Sequence, residues 1–215
     1  MPASHVFLTG STGYLGSRLI PRLLARGHRV RALVRASSRG RLPAGCEAVV
    51  GDALDRATFQ DHVTPVDTFV QLVGVPHPSP RKAEQFRAVD LVSVRESAAA
   101  AAAANVGHFV YVSVAQPAPV MKAYQEVRAE GERLLRATGI DATFLRPWYV
   151  LGPGHRWAYA LLPMYWLLER VPPTRATAQR LGLVTVEEML RALVRAVEDR
   201  PAGVRVVEVP QIRGA

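Results

Sequence analysis

The chain alternates short, almost wholly apolar runs with longer segments in which apolar residues recur every three or four positions. The short runs are typical of strands buried on both faces of a parallel sheet, and the longer segments have the period of amphipathic helices. This alternation predicts an α/β, doubly wound fold with a mostly parallel sheet and right-handed crossovers. The predicted strands occupy residues 5–9, 28–34, 46–50, 67–73, 108–113, 141–146 and 204–209, and the predicted helices residues 14–26, 55–63, 81–105, 121–138 and 186–199.

Composition sets the size and class of the protein. The 215 residues, 49% of them hydrophobic, suit a single domain over 1–215 with its own core. A single cysteine, Cys46, excludes an internal disulfide, and no basic or apolar leader precedes the first strand, so we expect a cytoplasmic protein. No apolar run reaches the ~18 residues that span a bilayer, so no membrane span is expected.

The net charge of +9 favours anionic ligands such as phosphates. The arginines are spread through every predicted helix rather than collected in one stripe, which indicates a basic surface and not a nucleic-acid partner. No metal site is expected. The oligomeric state is open, a homo-oligomer included.

A glycine-rich stretch, TGSTGYLG, follows the first strand and leads into the first helix. Glycines at such a turn let the backbone approach a pyrophosphate, which the free N–H groups of the helix N-terminus attract. Inside a βαβ unit this pattern predicts dinucleotide binding; the alternative is a tight turn that needs only small residues. The predicted cofactor contacts here are Gly10, Ser11, Thr12, Gly13, Tyr14, Leu15 and Gly16.

The second strand ends on a basic residue, about 20 residues beyond the last glycine, where a carboxylate would hold the 2′-hydroxyl of NAD. That residue is Arg35, and Ser37, Ser38, Arg39 and Arg41 follow it. Cations and hydroxyls suit a 2′-phosphate, so the sequence favours NADP(H) over NAD(H), with Arg35 and Ser37 as contacts. Alternatively, the loop is solvated and only Arg35 matters.

A second candidate cofactor contact follows the third strand, in VVGDALD. Asp52, with Ala53 and Leu54 beside it, is placed to accept a hydrogen bond from the adenine amino group. Asp52 can equally cap the helix expected to begin near Asp55, and both interpretations stay open.

The motifs TGSTGYLG, GDALD, YVSVA, Tyr-x-x-x-Arg and FLRPWYVLGPG occur in this order. Over almost its whole length the chain resembles the short-chain dehydrogenase/reductase superfamily, in particular its atypical and extended NAD(P)-binding branch of NmrA-like and NAD-dependent epimerase/dehydratase-like proteins. The resemblance implies a Rossmann fold, with the cofactor across the carboxyl ends of the strands, and a Ser/Tyr/Lys catalytic set.

That catalytic set matches Ser113, Tyr124 and Arg128. The resemblance implies that Tyr124 is the general acid/base of a hydride transfer and that Ser113 binds the substrate oxygen. Tyr124 and Arg128 stand four residues apart on one predicted helix, so the cation can reach the phenol. The chain departs from the family because arginine replaces the usual lysine: a guanidinium can hold the nicotinamide ribose but does not lose a proton. The alternative is a helix with an ordinary Tyr and Arg.

The resemblance implies further contacts to the adenosine ribose and to the nicotinamide. They are Leu72, Val73 and Gly74 for the former, and Pro147, Trp148 and Tyr149 for the latter. An aromatic-rich segment, residues 150–182, follows and is expected to lie on the substrate side. A core helix, a subunit contact and a membrane-surface helix are alternatives for this segment. The predicted substrate contacts are Trp148, Tyr149 and Trp157.

The leading hypothesis is an NADP(H)-binding oxidoreductase that acts on a small, apolar or aromatic carbonyl or hydroxy compound. A small substrate is expected because only about 40 residues follow Pro173, too few for a large substrate domain. The main alternative is a non-catalytic NADP(H)-binding sensor or assembly protein, which Arg128 favours. An epimerase or dehydratase is the third.

Overall fold

The computed structural model describes residues 3–153, 164 and 167–215 and confirms the predicted Rossmann-type fold. Seven parallel strands form one sheet in the order β3-β2-β1-β4-β5-β6-β9, and each matches a predicted strand. Two more strands, β7 and β8, pair in parallel as a small second sheet. The strands are β1 His5–Thr9, β2 Arg29–Val34, β3 Glu47–Val50, β4 Thr68–Gln71, β5 His108–Val112, β6 Asp141–Arg146, β7 Tyr149–Leu151, β8 Leu183–Thr185 and β9 Val204–Glu208.

The central strands are buried on both faces, as their composition predicts. Along β1, Val6 and Leu8 belong to the core cluster on one face of the sheet, and Phe7 to the cluster on the other. On that second face the ring of Phe7 contacts Phe69, which stacks on Phe109, with centroid distances of 5.1 and 5.0 Å. These ring contacts hold β1, β4 and β5 together, and the site lies at the carboxyl ends of such strands.

Helices cover the sheet close to the predicted positions. The described helices include α1 Gly16–Ala25, α2 Val92–Ala103, α3 Lys122–Ala137, α4 Pro172–Arg180, α5 Val186–Glu198 and α6 Val209–Arg213. The predicted helix over 55–63 is wrong, because that stretch forms two 3₁₀ turns, Arg56–Thr58 and Gln60–His62. Asp55 caps the first of them by accepting a hydrogen bond from the Ala57 N–H at 3.1 Å.

The predicted helix over 81–105 changes type in its first half. A 3₁₀ turn over Pro80–Lys82 and one α turn over Ala83–Gln85 lead into a π-helix, Phe86–Leu91, and only then into α2. π-Helical turns are rare in proteins, and those that occur often lie at functional sites. We call residues 80–91 the π segment.

The predicted substrate-side segment, 150–182, is described only in part. Trp157 lies outside the described residues. The pairing of β7 with β8 brings the two ends of the segment together. Val184 of β8 is fully buried in the core cluster that contains Val6 and Leu8, so the small sheet packs on the main one.

The buried imidazole of His108, at the start of β5, gives a prediction about acid stability. Its Nε2 lies 3.0 Å from Thr143 Oγ1, and burial, with Arg200 and Arg205 nearby, lowers its pKa from 6.5 to about 4. Above pH 6.5 His108 is neutral in the folded and in the unfolded chain, and the protein has its full stability. As pH falls toward 4, stability is lost because His108 gains a proton only in the unfolded chain. The loss should reach about 3 kcal/mol.

Urea unfolding near neutral pH and near pH 4 checks this. His108→Gln keeps a hydrogen-bonding partner for Thr143 but cannot titrate, so its loss of stability between the two conditions should be smaller by about 3 kcal/mol. The matched control is His62→Gln, at an exposed position. Equal acid sensitivity of His108→Gln and the wild type would contradict the prediction.

Candidate functional site

The phosphate loop joins β1 to α1 in a close-packed turn. Gly10 has a φ of +73°, and a Cβ there would lie 2.8 Å from the carbonyl carbon of Leu72, after β4. The Gly13 N–H donates to the Gly10 carbonyl at 3.0 Å, while Gly13 itself is exposed. A Cβ on Gly16 would overlap the Gly10 carbonyl oxygen. Gly10 and Gly16 thus let three backbone segments meet, and Gly13 leaves backbone open to a ligand.

A cavity of about 460 Å³ opens beside this loop at the carboxyl ends of β1, β2, β3 and β4. Of the predicted cofactor contacts, it is lined by Gly10, Ser11, Thr12, Gly13, Arg35, Asp52, Ala53, Leu54, Leu72, Val73 and Gly74. The cavity is also lined by residues that were not predicted from the sequence: Leu33, Val34, Gly51, Val75, Pro76, Gln85 and Val89. The predicted contacts Tyr14, Leu15, Gly16, Ser37, Pro147, Trp148 and Tyr149 do not.

The charged groups on the cavity wall are Arg35 and Asp52. Arg35 is exposed at the end of β2, directly before the 3₁₀ turn Ala36–Arg41. Within that turn Ser37 is exposed, whereas Ser38 is buried and accepts a hydrogen bond from Arg41 Nη2 at 2.9 Å. Arg35 is therefore the cation that the fold presents to the cavity.

Asp52 was expected either to contact adenine or to cap a helix, and its hydrogen bonds show that it is not the cap. Asp52 Oδ1 accepts from the Leu54 N–H at 2.9 Å, an Asx turn, and the 3₁₀ cap is provided by Asp55. The exposed Asp52 lines the cavity, and among the described residues its Oδ2 accepts no hydrogen bond. A hydrogen bond from adenine to Asp52 stays a prediction. Asp52 is not needed as the cap, because Asp55 has that role.

Ser113 follows β5 but belongs to a buried polar network. Its hydroxyl donates to Glu132 Oε1 at 2.6 Å, and Arg146 holds the same carboxylate through Nε and Nη2 at 2.8 and 2.7 Å. Ser113 is only 2% exposed. The Ser113 hydroxyl is directed at Glu132 in this structure, and its donation to a substrate oxygen stays a prediction. Ser113 instead helps to join β5, α3 and β6.

Arg128 is buried and hydrogen-bonded inside the protein. It is 5% exposed; Nη2 donates to Asp90 Oδ1 at 2.5 Å, and Nη1 to the Val112 carbonyl at 2.9 Å. Burial acts to lower the pKa of this guanidinium, but Tyr124, Tyr111 and Asp90 raise it overall, so the group stays charged. Nη2 has a second N–H besides the one directed at Asp90, so contact of Arg128 with the ribose hydroxyls stays a prediction.

Tyr124 occupies the first turn of α3 and is half-buried. Its ring contacts Phe86 of the π segment, with centroids 4.9 Å apart, and the guanidinium carbon of Arg128 lies 5.1 Å from its centroid. Of the three predicted catalytic side chains, Tyr124 is the one whose polar atom makes no hydrogen bond to a described residue. The role of its phenol in proton transfer stays a prediction.

The predicted nicotinamide-side residues lie beside β5 and β7. The Pro147 carbonyl accepts from the Ala115 N–H at 3.0 Å, Trp148 packs against the core cluster of β1, and Tyr149 begins β7. Tyr14 connects the phosphate loop to this region, because a Cβ on Gly152 would overlap its hydroxyl.

Within residues 3–153, 164 and 167–215, neither a membrane-spanning helix nor a metal cluster adjoins this site. No helix there is long and apolar enough to cross a membrane. No group of three or more His, Cys, Asp or Glu side chains there could hold a metal ion.

The parallel sheet, the glycine loop at its carboxyl edge and the adjoining cavity define a dinucleotide-binding α/β protein. The chain belongs to the NAD(P)H-binding family, whose model matches residues 10–158. This match and the fold confirm the resemblance to the short-chain dehydrogenase/reductase superfamily.

Two enzymes are related to the chain over most of its length. Ceramide reductase of Caulobacter vibrioides is 29% identical over 212 residues, 97% of this chain and 65% of that protein. The 3-diazoavenalumate denitrifying reductase of a Streptomyces species is 29% identical over 230 residues, 93% of this chain and 74% of that protein. The chain thus spans slightly less than two thirds of the length of ceramide reductase.

A solved structure shares the fold. WbmH of Bordetella bronchiseptica, in complex with NAD+, aligns with a TM-score of 0.72 and 23% identity over 96% of this chain and 76% of that chain.

Proposed function

We propose that the protein is an NADP(H)-dependent oxidoreductase that interconverts a small carbonyl compound and its alcohol by hydride transfer. The observation that carries this proposal is the cavity beside the glycine loop, with Arg35 on its wall at the end of β2. A guanidinium there suits the 2′-phosphate that distinguishes NADP(H) from NAD(H). Two related proteins are reductases, which supports reduction as the type of reaction.

Tyr124 is the proposed general acid/base. Bound NADPH would supply the hydride for the carbonyl carbon. The Tyr124 phenol would give its proton to the carbonyl oxygen, and water would then reprotonate the phenolate. The nearby Arg128 guanidinium supplies positive charge through space and stays protonated throughout. Ser113 supports the site through its hydrogen bond to Glu132.

The substrate is proposed to be small and apolar or aromatic. Trp148 and Tyr149, both partly buried, follow β6 on the side where the nicotinamide is expected, and they offer aromatic faces to such a molecule. Trp157 is proposed as a further contact. We also propose a cytoplasmic location, on the grounds of the single cysteine, Cys46.

Arg35→Asp tests the cofactor preference. The wild type should bind NADPH more tightly than NADH, and the variant should bind NADPH about 10–100-fold more weakly and NADH more tightly, because a carboxylate repels the 2′-phosphate and accepts from a 2′-hydroxyl. Fluorescence titration of both nucleotides measures this. Arg56→Asp, an exposed change outside the cavity lining, is the control for net charge. Equal NADPH and NADH affinities of the wild type would refute the preference.

A non-catalytic NADP(H) sensor is the second candidate, because Arg128 and Ser113 are both engaged inside the protein. Turnover separates the candidates. An oxidoreductase consumes NADPH with at least one member of a panel of aromatic and aliphatic aldehydes and ketones, whereas a sensor binds NADPH tightly without consuming it.

A further inference from the structure

A buried carboxylate lies under the cofactor cavity, and both of its oxygens are engaged. Asp90, in the π segment, is fully buried. Its Oδ1 accepts from Arg128 Nη2 at 2.5 Å, and its Oδ2 accepts from the Val75 N–H at 3.0 Å. Val75 lines the cavity. A single side chain therefore connects Arg128 of α3 to the backbone of the cavity wall.

The Arg128 guanidinium also packs against the loop that follows β4. A Cβ on Gly74 would lie 2.6 Å from Arg128 Nη2 and 3.2 Å from Asp90 Oδ1. Gly74 therefore packs directly against the ion pair of Asp90 and Arg128. Through Nη1 the guanidinium also holds the Val112 carbonyl at the end of β5, 2.9 Å away. The loop after β4 and the end of β5 are held by one planar group.

One face of the π segment lines the cavity, and the other contacts Tyr124 and Arg128. Gln85 and Val89 line the cavity, whereas Phe86 contacts Tyr124 and Asp90 pairs with Arg128. The ion pair consequently links three parts of the site: the loop over 72–76, the π segment and the first turns of α3.

We propose that Asp90 and Arg128 act as a positioning pair that sets the 72–76 loop against bound NAD(P)H. This assigns a role to Asp90 and explains the arginine at the usual lysine position. A planar guanidinium can donate to the Asp90 carboxylate and to the Val112 carbonyl at once, while a compact ammonium does not match this fork. The inference rests on nucleotide binding in the proposed function and does not require turnover.

The test uses the full chain and two readouts, amide hydrogen exchange over 72–76 without nucleotide and fluorescence titration with NADPH. Breaking a buried pair by one substitution can prevent folding, so the deciding variant is Asp90→Leu/Arg128→Met, which removes both charges and leaves neither unpaired. Arg128→Lys keeps the positive charge but lacks the planar guanidinium, so it tests whether the paired hydrogen bonds to Asp90 and Val112 are needed. The matched control is Arg22→Met/Glu187→Gln, which removes an exposed pair joined at 2.6 and 2.7 Å on α1 and α5.

We expect the double variant to fold, with exchange about tenfold faster at the Val75 amide and unchanged in β1, and with NADPH affinity about tenfold weaker. Arg128→Lys should also weaken NADPH binding, and the control should match the wild type in both readouts. Loop exchange or NADPH affinity of the double variant within twofold of the wild type would overturn the proposal. A wild type that binds neither NADPH nor NADH would refute the proposed function, and this result is seen before any variant is compared.

Discussion

Tyr124→Phe is expected to lower the rate of NADPH-dependent carbonyl reduction by about 10²–10⁴-fold, the usual contribution of a positioned proton donor. NADPH affinity should stay within about twofold, because the ring that contacts Phe86 and Arg128 is retained and only the hydroxyl is lost. Steady-state rates, with a panel compound that the wild type reduces, together with a nucleotide titration, measure the two effects separately.

The matched control for this variant is Lys122→Ala, an exposed change in the same first turn of α3. Its rate and its NADPH affinity should equal those of the wild type. If Tyr124→Phe reduces the carbonyl at the wild-type rate, the proton comes from another group and the assignment of Tyr124 is refuted.

Gly16→Ala should abolish NADPH binding and destabilise the fold by about 2–3 kcal/mol. A Cβ at this position would overlap the carbonyl oxygen of Gly10 and lie 2.9 Å from the Cα of Ser11, so it meets only backbone, which cannot rotate away. The phosphate loop must then move off the start of α1. Thermal unfolding and nucleotide titration check the two parts of this prediction.

Gly107→Ala is the control for a glycine without this constraint, because the nearest atom to its added Cβ is Arg200 Nη1 at 3.6 Å. It should bind NADPH like the wild type. Normal NADPH affinity in Gly16→Ala would show that the close approach within this loop is not needed for the cofactor.

The features that sequence predicted well are those with a local signal. Buried strands have continuous apolar runs, and the phosphate loop has glycines at a strand-to-helix turn, so both could be read within a few residues. Arg35 is similar, since its place at the end of β2 follows from the strand itself. In each case the neighbours in sequence are also the neighbours that matter in space.

The hydrogen-bond partners of Ser113 and Arg128 were not predicted, because these partners are distant in the sequence. Ser113 turns toward Glu132, 19 residues away, and Arg128 toward Asp90, 38 residues away. The π segment was missed because α- and π-helices share the same apolar pattern over one turn. One signal was available: an arginine on the buried face of a helix needs a buried acceptor, and Asp90 was a candidate in the preceding helical pattern.

The central claim, hydride transfer from bound NADPH, is tested most directly with NADPH that carries deuterium at C4 of the nicotinamide. The wild type, incubated with the aldehyde and ketone panel, should give an alcohol with deuterium on the carbinol carbon, in amounts that match the NADP+ formed. Mass spectrometry of the products measures this. Bound NADPH that stays unoxidised with every compound, and products without deuterium, would contradict the claim.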